Sequence, residues 1–545
     1  MGIFSKLIPP SKKAAPGTEQ RVRSLLADLD VSSPLRTLKD IEERLTELAA
    51  IERSHGAATA QSAFVQLDQS GVGARAALLQ KSLSALDPLS SGQVEWSALS
   101  SHAAELIAAH ATFSAALIPM AQSEAERNRV ARDAVSMLRA WALCKKLQHF
   151  RYQTPPAALW QQAHALLRLL MEHKLEQILV VPYPGESAVT PLREYLIGAY
   201  FECLPEGKLL PQQQEALDRF LRTCDRLAFT LVPETNSTHR IDLMATSGPK
   251  ARKDGDASGS SIRFLSTVLP HEQLIKIADA LANDRDIPKW LSSIALDVSV
   301  KETTFRTLAH HWSSRPPRRM AERHNASREL RVVIGFSGAY RMISASQELR
   351  ALETEADITQ PARLTADSPL TLLQQIEATG KMPSTLSLEI DAAEISIETW
   401  QRVDLSATGL SATLPALLPR HCVGALIAIR PVDDVNWQLG LIRRVGRDAT
   451  KHPVIGIEII DDEASCAHAN LIDHEQVWSE GVEAAGWSNV IFLKKTGHDV
   501  LLPPGSFASG KLVRVTQDKR SWQIRLETLL DRGPDYDRAR FSSVA

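Results

Sequence analysis

Two short polar segments of the sequence carry side chains suited to holding an anionic ligand. One is a cluster of arginines, and the other is a turn-like segment further along the chain. Guanidinium groups form paired hydrogen bonds with phosphate and stack on planar rings. A carboxylate accepts hydrogen bonds, a hydroxyl donates one, and glycine lets a backbone approach closely. The candidate binding residues are Arg318, Arg319, Arg323, Asp404, Ser406 and Gly409.

Each segment also has an ordinary structural interpretation. Arginine clusters are commonly solvated faces, and Asp-x-Ser-x2-Gly is also a plain turn because Asp and Ser bond to their own backbone. The arginines also form two overlapping pairs in which three residues separate the members, Arg315-x3-Arg319 and Arg319-x3-Arg323. Taken alone, neither segment distinguishes a binding site from these alternatives.

The two segments lie among stretches that predict β-strands, and these strands must position them. Residues 330–336 follow the arginines, and residues 400–403 precede the turn-like segment. Strand-like stretches continue downstream at residues 423–430, 437–445 and 455–460. In the last of these, isoleucines occupy alternate positions, which is typical of a half-buried strand.

The arginines, the turn and the strand series, in this order, resemble PilZ domains. These domains carry an Arg-x3-Arg pair before the first barrel strand and an Asp/Asn-x-Ser-x2-Gly turn after a later strand. The resemblance covers residues 315–469 and implies a β-barrel that binds cyclic di-GMP. By this resemblance, the arginine pair is Arg319 and Arg323, and the turn is residues 404–409.

The implied ligand has two phosphates and two guanines, and the residue chemistry suits both groups. Arginine pairs with phosphate and with the O6 and N7 atoms of guanine. Asp404 would accept from the N1–H and N2–H2 edge of guanine, and Ser406 would donate to a phosphate or a guanine. Gly409 would let the backbone approach the ligand or adopt a positive φ.

One departure from the PilZ pattern bears on the site. Arg323 and Asp404 are 81 positions apart, whereas ordinary PilZ domains separate the two motifs by a few tens of residues. We interpret residues 344–395 as an insertion that is helical at 349–357 and 370–379. The insertion is expected either to cover the site or to offer a surface to a partner.

The whole chain predicts a multidomain α+β protein. The predicted segments are a flexible tail at 1–20, a helical N-terminal half at 21–225, a small α+β unit at 226–314, a PilZ-like β-barrel with an insertion at 315–475 and a C-terminal β-unit at 476–545. Residues 246–260 lack large apolar groups, so a mobile loop is expected there. Helix starts are predicted where a hydroxyl residue precedes proline, at Thr154 and Thr190. Residues 517–520 predict a hairpin turn.

Bulk properties narrow the class of protein. A chain of 545 residues predicts three or four domains, and its net charge of −2 argues against a protein that coats nucleic acid. Five scattered cysteines without a CxxC pair predict neither a disulfide framework nor a zinc site. No stretch approaches the roughly 20 apolar residues of a membrane span, and the start lacks the apolar centre of a signal peptide. A cytoplasmic protein is therefore expected.

Two functions remain open at this point. The first is a bacterial effector that binds the second messenger cyclic di-GMP and signals to an unknown protein partner controlling motility, pili or biofilm. The alternative is a PilZ-like scaffold that binds no nucleotide and acts only through protein–protein contacts. The sequence contains no nucleophile elbow, P-loop or HExxH motif, so neither an enzyme nor a cofactor or metal site is expected.

Overall fold

The chain forms two compact units, residues 1–317 and residues 318–545. The computed structural model describes residues 25, 29–55, 57–84, 92–205, 207–253, 255, 259–316, 324–359, 396–448, 450–471, 487–517 and 520–544. The first unit is mainly helical, and the second contains two closed six-stranded β-barrels. The predicted multidomain organisation and the helical N-terminal half are therefore confirmed.

Long helices make up most of the first unit. They are α1 (Pro34–His55), α2 (Ala57–Ser84), α3 (Gln93–Leu117), α4 (Glu124–Phe150), α5 (Ala157–Glu172), α6 (Pro191–Glu202) and α7 (Pro211–Thr223). Helix α4 begins with a capping box, in which the Ser123 hydroxyl accepts from the Glu126 N–H at 3.3 Å. The Glu126 carboxylate accepts from the Ser123 N–H at 2.9 Å, so both backbone donors are satisfied.

The two predicted helix starts have different outcomes. The start at Thr190 is confirmed, because its hydroxyl accepts from the Arg193 N–H at 3.2 Å and Pro191 is the first helical residue. The start at Thr154 is wrong by two residues, since α5 begins at Ala157 without a side-chain cap. A second proline explains the shift. The residue before a proline is held in an extended conformation, so the helix starts only after Pro156.

A small sheet and further helices complete the first unit. They are β1 (Phe229–Thr230), β2 (His239–Asp242), β3 (Lys250–Ala251), β4 (Ile262–Leu265), α8 (His271–Ala282), α9 (Lys289–Ser292) and α10 (Val298–His311). The strands are antiparallel in the order β1-β4-β2-β3. Strand β3 lies within the predicted mobile loop at 246–260, so part of that segment pairs in the sheet. Residues 254 and 256–258 of that loop lie outside the described residues.

One continuous core joins the helices to the small sheet. The Tyr200 hydroxyl in α6 donates to the carbonyl of Ala228 at 2.9 Å and to that of Ser266 at 3.2 Å. The indole N–H of Trp312, just after α10, donates to the carbonyl of Cys203 at 3.1 Å. The structure therefore shows no separation at residue 225, where the sequence analysis divided a helical domain from an α+β unit.

The first barrel of the second unit is antiparallel and closed. Its strands are β5 (His324–Ile334), β6 (Ile397–Ser406), β7 (Gly409–Thr413), β8 (Leu426–Pro431), β9 (Gln438–Arg447) and β10 (Pro453–Asp461). Their order around the barrel is β10-β7-β6-β5-β8-β9. Helix α11 (Phe336–Thr359) follows β5 directly, so a helix begins the predicted insertion. The remainder of that insertion, residues 360–395, lies outside the described residues, as does the helix predicted at 370–379.

The second barrel corrects the predicted C-terminal boundary. Its strands are β11 (Ser465–Leu471), β12 (Trp487–Leu493), β13 (Asp499–Leu502), β14 (Leu512–Gln517), β15 (Arg520–Arg532) and β16 (Asp537–Val544). Strand β11 pairs with β12 and β14 and therefore belongs to this barrel, not to a first barrel extending to residue 475. The buried Asp461 ends the first barrel, because its carboxylate accepts from the N–H groups of Glu463 and Lys495 at 2.7 and 2.9 Å. The hairpin between β14 and β15 is confirmed.

Helix α11 packs between the two barrels. Its buried Tyr340 and Ile343 share a core with Leu426 of the first barrel and with Ile491 of the second. Strand β8 is consequently buried on both faces, which accounts for its four consecutive apolar residues at 426–429. The two barrels and α11 form one hydrophobic assembly.

One helical segment of the described chain, residues 93–120, has the length and hydropathy of a membrane-spanning helix. Leu106 and Phe113 from this segment lie in the core of the first unit. A single helix of this kind is weak support for a membrane span, because core helices of water-soluble proteins have the same composition.

Candidate functional site

The predicted turn is a tight hairpin between β6 and β7. The Asp404 carboxylate accepts from the Ser411 N–H at 2.9 Å, and the Ser406 hydroxyl donates to the Gly409 carbonyl at 2.9 Å. Both side chains therefore brace the backbone of the hairpin, as the plain-turn interpretation expects. Both are half-buried, so they also lie where a ligand could contact them.

Gly409 is required by close packing. A Cβ atom at this position would overlap the carbonyl oxygen of Ile457 and lie 3.2 Å from the Cα of Glu458, both in the neighbouring strand β10. Gly409 is not among the glycines with positive φ. Its role in the structure is thus to let β7 and β10 approach, rather than to supply a left-handed conformation.

The start of β5 lies beside the end of β6. His324 pairs with Leu405, and Asn325 pairs with Asp404. The arginines predicted to bind the ligand, Arg318, Arg319 and Arg323, lie outside the described residues. The structure accordingly brings Asp404, Ser406 and Gly409 together in one hairpin and leaves the position of the arginines open.

The predicted insertion is attached at the opposite end of the same strand pair. Val333 pairs with Ile397, so the chain leaves β5 and re-enters β6 at the end of the barrel away from the hairpin. The nine residues from Ile397 to Leu405 span about 30 Å at 3.4 Å per residue. The 81-position gap therefore lengthens the connection at the far end of two paired strands, and it leaves the pairing beside the hairpin intact.

A group of charged side chains that the sequence analysis did not assign lies next to the hairpin. Arg328 and Arg402 are directly opposite each other on β5 and β6. The Arg328 guanidinium contacts the Asp433 carboxylate, with Nε and Nη2 at 2.8 and 2.6 Å from Oδ1. The Arg402 Nε–H donates to the Ala326 carbonyl at 2.9 Å. Burial and then the charge of Arg328 lower the pKa of Arg402.

The local backbone explains this arrangement. The β5–β6 pairing is irregular between Asn325 and Arg328, and the β6–β7 pairing is irregular between Arg402 and Asp404. Such β-bulges redirect side chains and are frequent beside functional sites. The sequence offered one signal for Arg402, its place on the predicted strand two residues before Asp404.

A second concave surface lies in the first unit, a cleft of about 780 Å³ between α2, α4, α6, α7 and the loop at residues 183–189. Along this cleft, partly exposed guanidinium groups form ion pairs with buried carboxylates. The guanidinium groups belong to Arg139, Arg219 and Arg222, and the carboxylates to Glu194, Glu215 and Asp218. Because these charges are mutually paired, the cleft does not by itself indicate a ligand. Across the described residues, no group of three or more His, Cys, Asp or Glu side chains could hold a metal ion.

Comparison with known families gives one match. Residues 20–232 match the family model described as the N-terminal domain of the cyclic-di-GMP receptor FimW. The matched segment covers helices α1 to α7 and ends before the small sheet is complete. No curated protein matches the chain. The similarity thus concerns the helical half and not the first barrel.

Proposed function

We propose that this chain is a cyclic di-GMP effector that binds the nucleotide at the first barrel, between the arginines at 318–323 and the hairpin at 404–409. The similarity of residues 20–232 to a cyclic-di-GMP receptor family supports a cyclic di-GMP-binding effector. The proposal adds that the barrel is PilZ-like and that it holds the nucleotide. It also adds that the output is a contact with a protein partner in the cytoplasm, affecting motility, pili or biofilm, with no catalysis.

The observation that carries the proposal is the pairing of the first residues of β5 with the end of β6. His324 lies opposite Leu405, and Arg323 is covalently bonded to His324. The chain therefore enters the first barrel beside the hairpin that carries Asp404 and Ser406.

Residues 318–323 directly follow, in the sequence, the boundary between the two compact units. A nucleotide held by these residues and the hairpin would shift the equilibrium between arrangements of the units.

Calorimetric titration of the full chain with cyclic di-GMP tests the proposal. We expect binding by the wild-type chain, and a loss of about 10- to 100-fold in affinity for Arg319→Ala and for Arg323→Ala, because a hydrogen bond to a charged group contributes about 1.5–3 kcal/mol. Arg315→Ala is the matched control, since it removes the same charge from the alternative register. A loss in Arg315→Ala with none in Arg323→Ala would instead assign the Arg315-x3-Arg319 pair.

The second candidate function is a scaffold that binds no nucleotide. One observation favours it, namely that the side chains of Asp404 and Ser406 already bond to the backbone of their own hairpin. No heat of binding at high micromolar cyclic di-GMP, with a folded wild-type chain, would refute the effector proposal and leave the scaffold.

A further inference from the structure

An arginine pair beside the hairpin has a charge arrangement that the fold alone does not explain. Like charges directly opposite each other on neighbouring strands are destabilising. Arg328 and Arg402 occupy such opposite positions. The carboxylate of Asp433 is bonded to Arg328, so the three groups together keep a net charge of +1.

Among the described residues, Arg402 has no carboxylate in ion-pair contact, although the charge of Asp433 acts on both arginines. Within the described residues, its one hydrogen bond is from Nε–H to the Ala326 carbonyl at 2.9 Å. This bond fixes the plane of the guanidinium and leaves the terminal amino groups for another acceptor. Arg402 is also half-buried, unlike a solvated surface arginine. A guanidinium held in one orientation loses less entropy when it binds an anion.

The position of Arg402 relates it to the candidate site. Along β6, Arg402, Asp404 and Ser406 are half-buried, whereas residues 401, 403 and 405 are exposed. The three side chains therefore share one face of the strand, with neighbours about 7 Å apart. A phosphate at Arg402 and a base edge at Asp404 could thus belong to one ligand.

We propose that Arg402, oriented by the Ala326 carbonyl and flanked by Arg328, forms a phosphate subsite of the nucleotide site on the first barrel. This inference rests on the proposed function and adds a binding residue to it. The ligand group is a phosphodiester, because a single oriented guanidinium with two terminal amino groups matches two phosphate oxygens. Ligand binding would then offset the repulsion between Arg328 and Arg402.

The test combines affinity with stability. Arg402→Gln removes the charge and keeps an amide donor for the Ala326 carbonyl. We expect its affinity for cyclic di-GMP in calorimetry to fall at least 10-fold, while the melting temperature without ligand stays equal or rises. Arg525→Gln is the control, because Arg525 is an exposed strand arginine of the second barrel. It should change neither quantity.

A lysine variant separates a phosphate from a guanine at this position. Lysine replaces arginine as a point charge at phosphate, but it cannot copy a bidentate or stacked contact with a base. Arg402→Lys should therefore recover part of the affinity lost in Arg402→Gln. Equal losses in the two variants would overturn the phosphate assignment.

Three other outcomes of these experiments would each overturn the subsite or the proposed function. Wild-type affinity in Arg402→Gln would overturn the subsite while the proposed function stands. Weakened binding together with a melting temperature several degrees lower would show a structural role and overturn it too. A wild-type chain that binds no cyclic di-GMP would refute the proposed function, and the subsite with it.

Discussion

The junction between the two barrels depends on a carboxyl group that is poorly placed to be charged. Asp535 lies in the turn between β15 and β16 of the second barrel. Its two carboxylate oxygens accept from the N–H of Leu426, at the start of β8 in the first barrel, at 3.1 and 3.3 Å. Burial raises the pKa of Asp535 from 3.8 to about 6, and the backbone hydrogen bonds offset only part of this effect. Asp535→Asn should consequently stabilise the junction at neutral pH.

The pKa shift of Asp535 determines whether its ionisation stabilises or destabilises the folded state, and it sets the largest size of that effect. Below pH 3.8 the group is protonated in both the folded and the unfolded chain, so ionisation has no influence. As the pH rises from 3.8 to 6, the unfolded chain releases the proton first, and the folded state loses stability. Above pH 6 the loss is constant. A shift of about two pKa units, at 1.36 kcal/mol per unit, gives at most about 3 kcal/mol.

Hydrogen exchange is the suitable measurement, because it reports the local stability of the junction at the amide of Leu426 itself. The amide of Leu426 should exchange up to about 100-fold more slowly in Asp535→Asn than in the wild type at pH 7.5. The side-chain amide keeps an oxygen acceptor for this N–H. The difference should disappear below pH 4, once exchange rates are corrected for pH. Asp462→Asn, at an exposed carboxylate near the end of β10, is the control and should leave the exchange unchanged.

Two results would contradict this reasoning. One is faster exchange of Leu426 in Asp535→Asn at pH 7.5, which would mean that the ionised carboxylate stabilises the junction. The other is a difference between the two proteins that stays constant from pH 4 to pH 7.5, which would mean that ionisation is not its cause.

Three further outcomes follow from the first barrel. Gly409→Ala should destabilise the barrel by about 1–3 kcal/mol, because the added methyl group overlaps the Ile457 carbonyl. Ligand binding should weaken as a result. Unchanged hydrogen exchange in β7 and β10 would contradict this prediction. Burial would raise the pKa of Glu398, but hydrogen bonds beginning with that from His421 lower it to about 2. Its stabilisation is therefore complete above about pH 4.5 and should fade toward pH 2, and a melting temperature measured in this range should be less pH-dependent in Glu398→Gln. Replacing residues 360–395 by a short glycine–serine linker should leave the affinity for cyclic di-GMP within about twofold in calorimetry, and a 10-fold loss would show that the segment takes part in binding.

The sequence was sufficient to predict structures that depend on interactions between residues close together in the chain. The helix start at Thr190 could be predicted because its cap and its proline act within one turn. The hairpin at residues 404–409 is similar, since Asp404 and Ser406 bond to backbone groups a few residues away. The start at Thr154 was misplaced for an equally local reason, the second proline, which the pattern of hydroxyl and proline overlooks.

The pairing of strands that lie far apart in the sequence could not be predicted from the sequence. The stretch that became β11 has the same local pattern whether it closes the first barrel or opens the second, and its pairing with β12 and β14 decides between them. The opposition of Arg328 and Arg402 depends on two bulges, and a bulge of one residue moves every later side chain to another partner. The sequence therefore shows that Arg402 precedes the hairpin, but it does not show that Arg402 lies opposite Arg328.

The insertion shows how topology changes the meaning of a distance in sequence. A gap of 81 positions between Arg323 and Asp404 suggests, from sequence alone, that a segment of chain lies between the two halves of the site. In an antiparallel pair, however, the connection joins the ends that are adjacent in sequence, and the other ends meet whatever the length of that connection. Val333 and Ile397 are the last pair before the connection, and His324 and Leu405 pair about 30 Å away. The long gap thus leaves the pairing of β5 and β6 beside the hairpin intact, and the charge of Arg402 beside that hairpin becomes the more informative feature of the site.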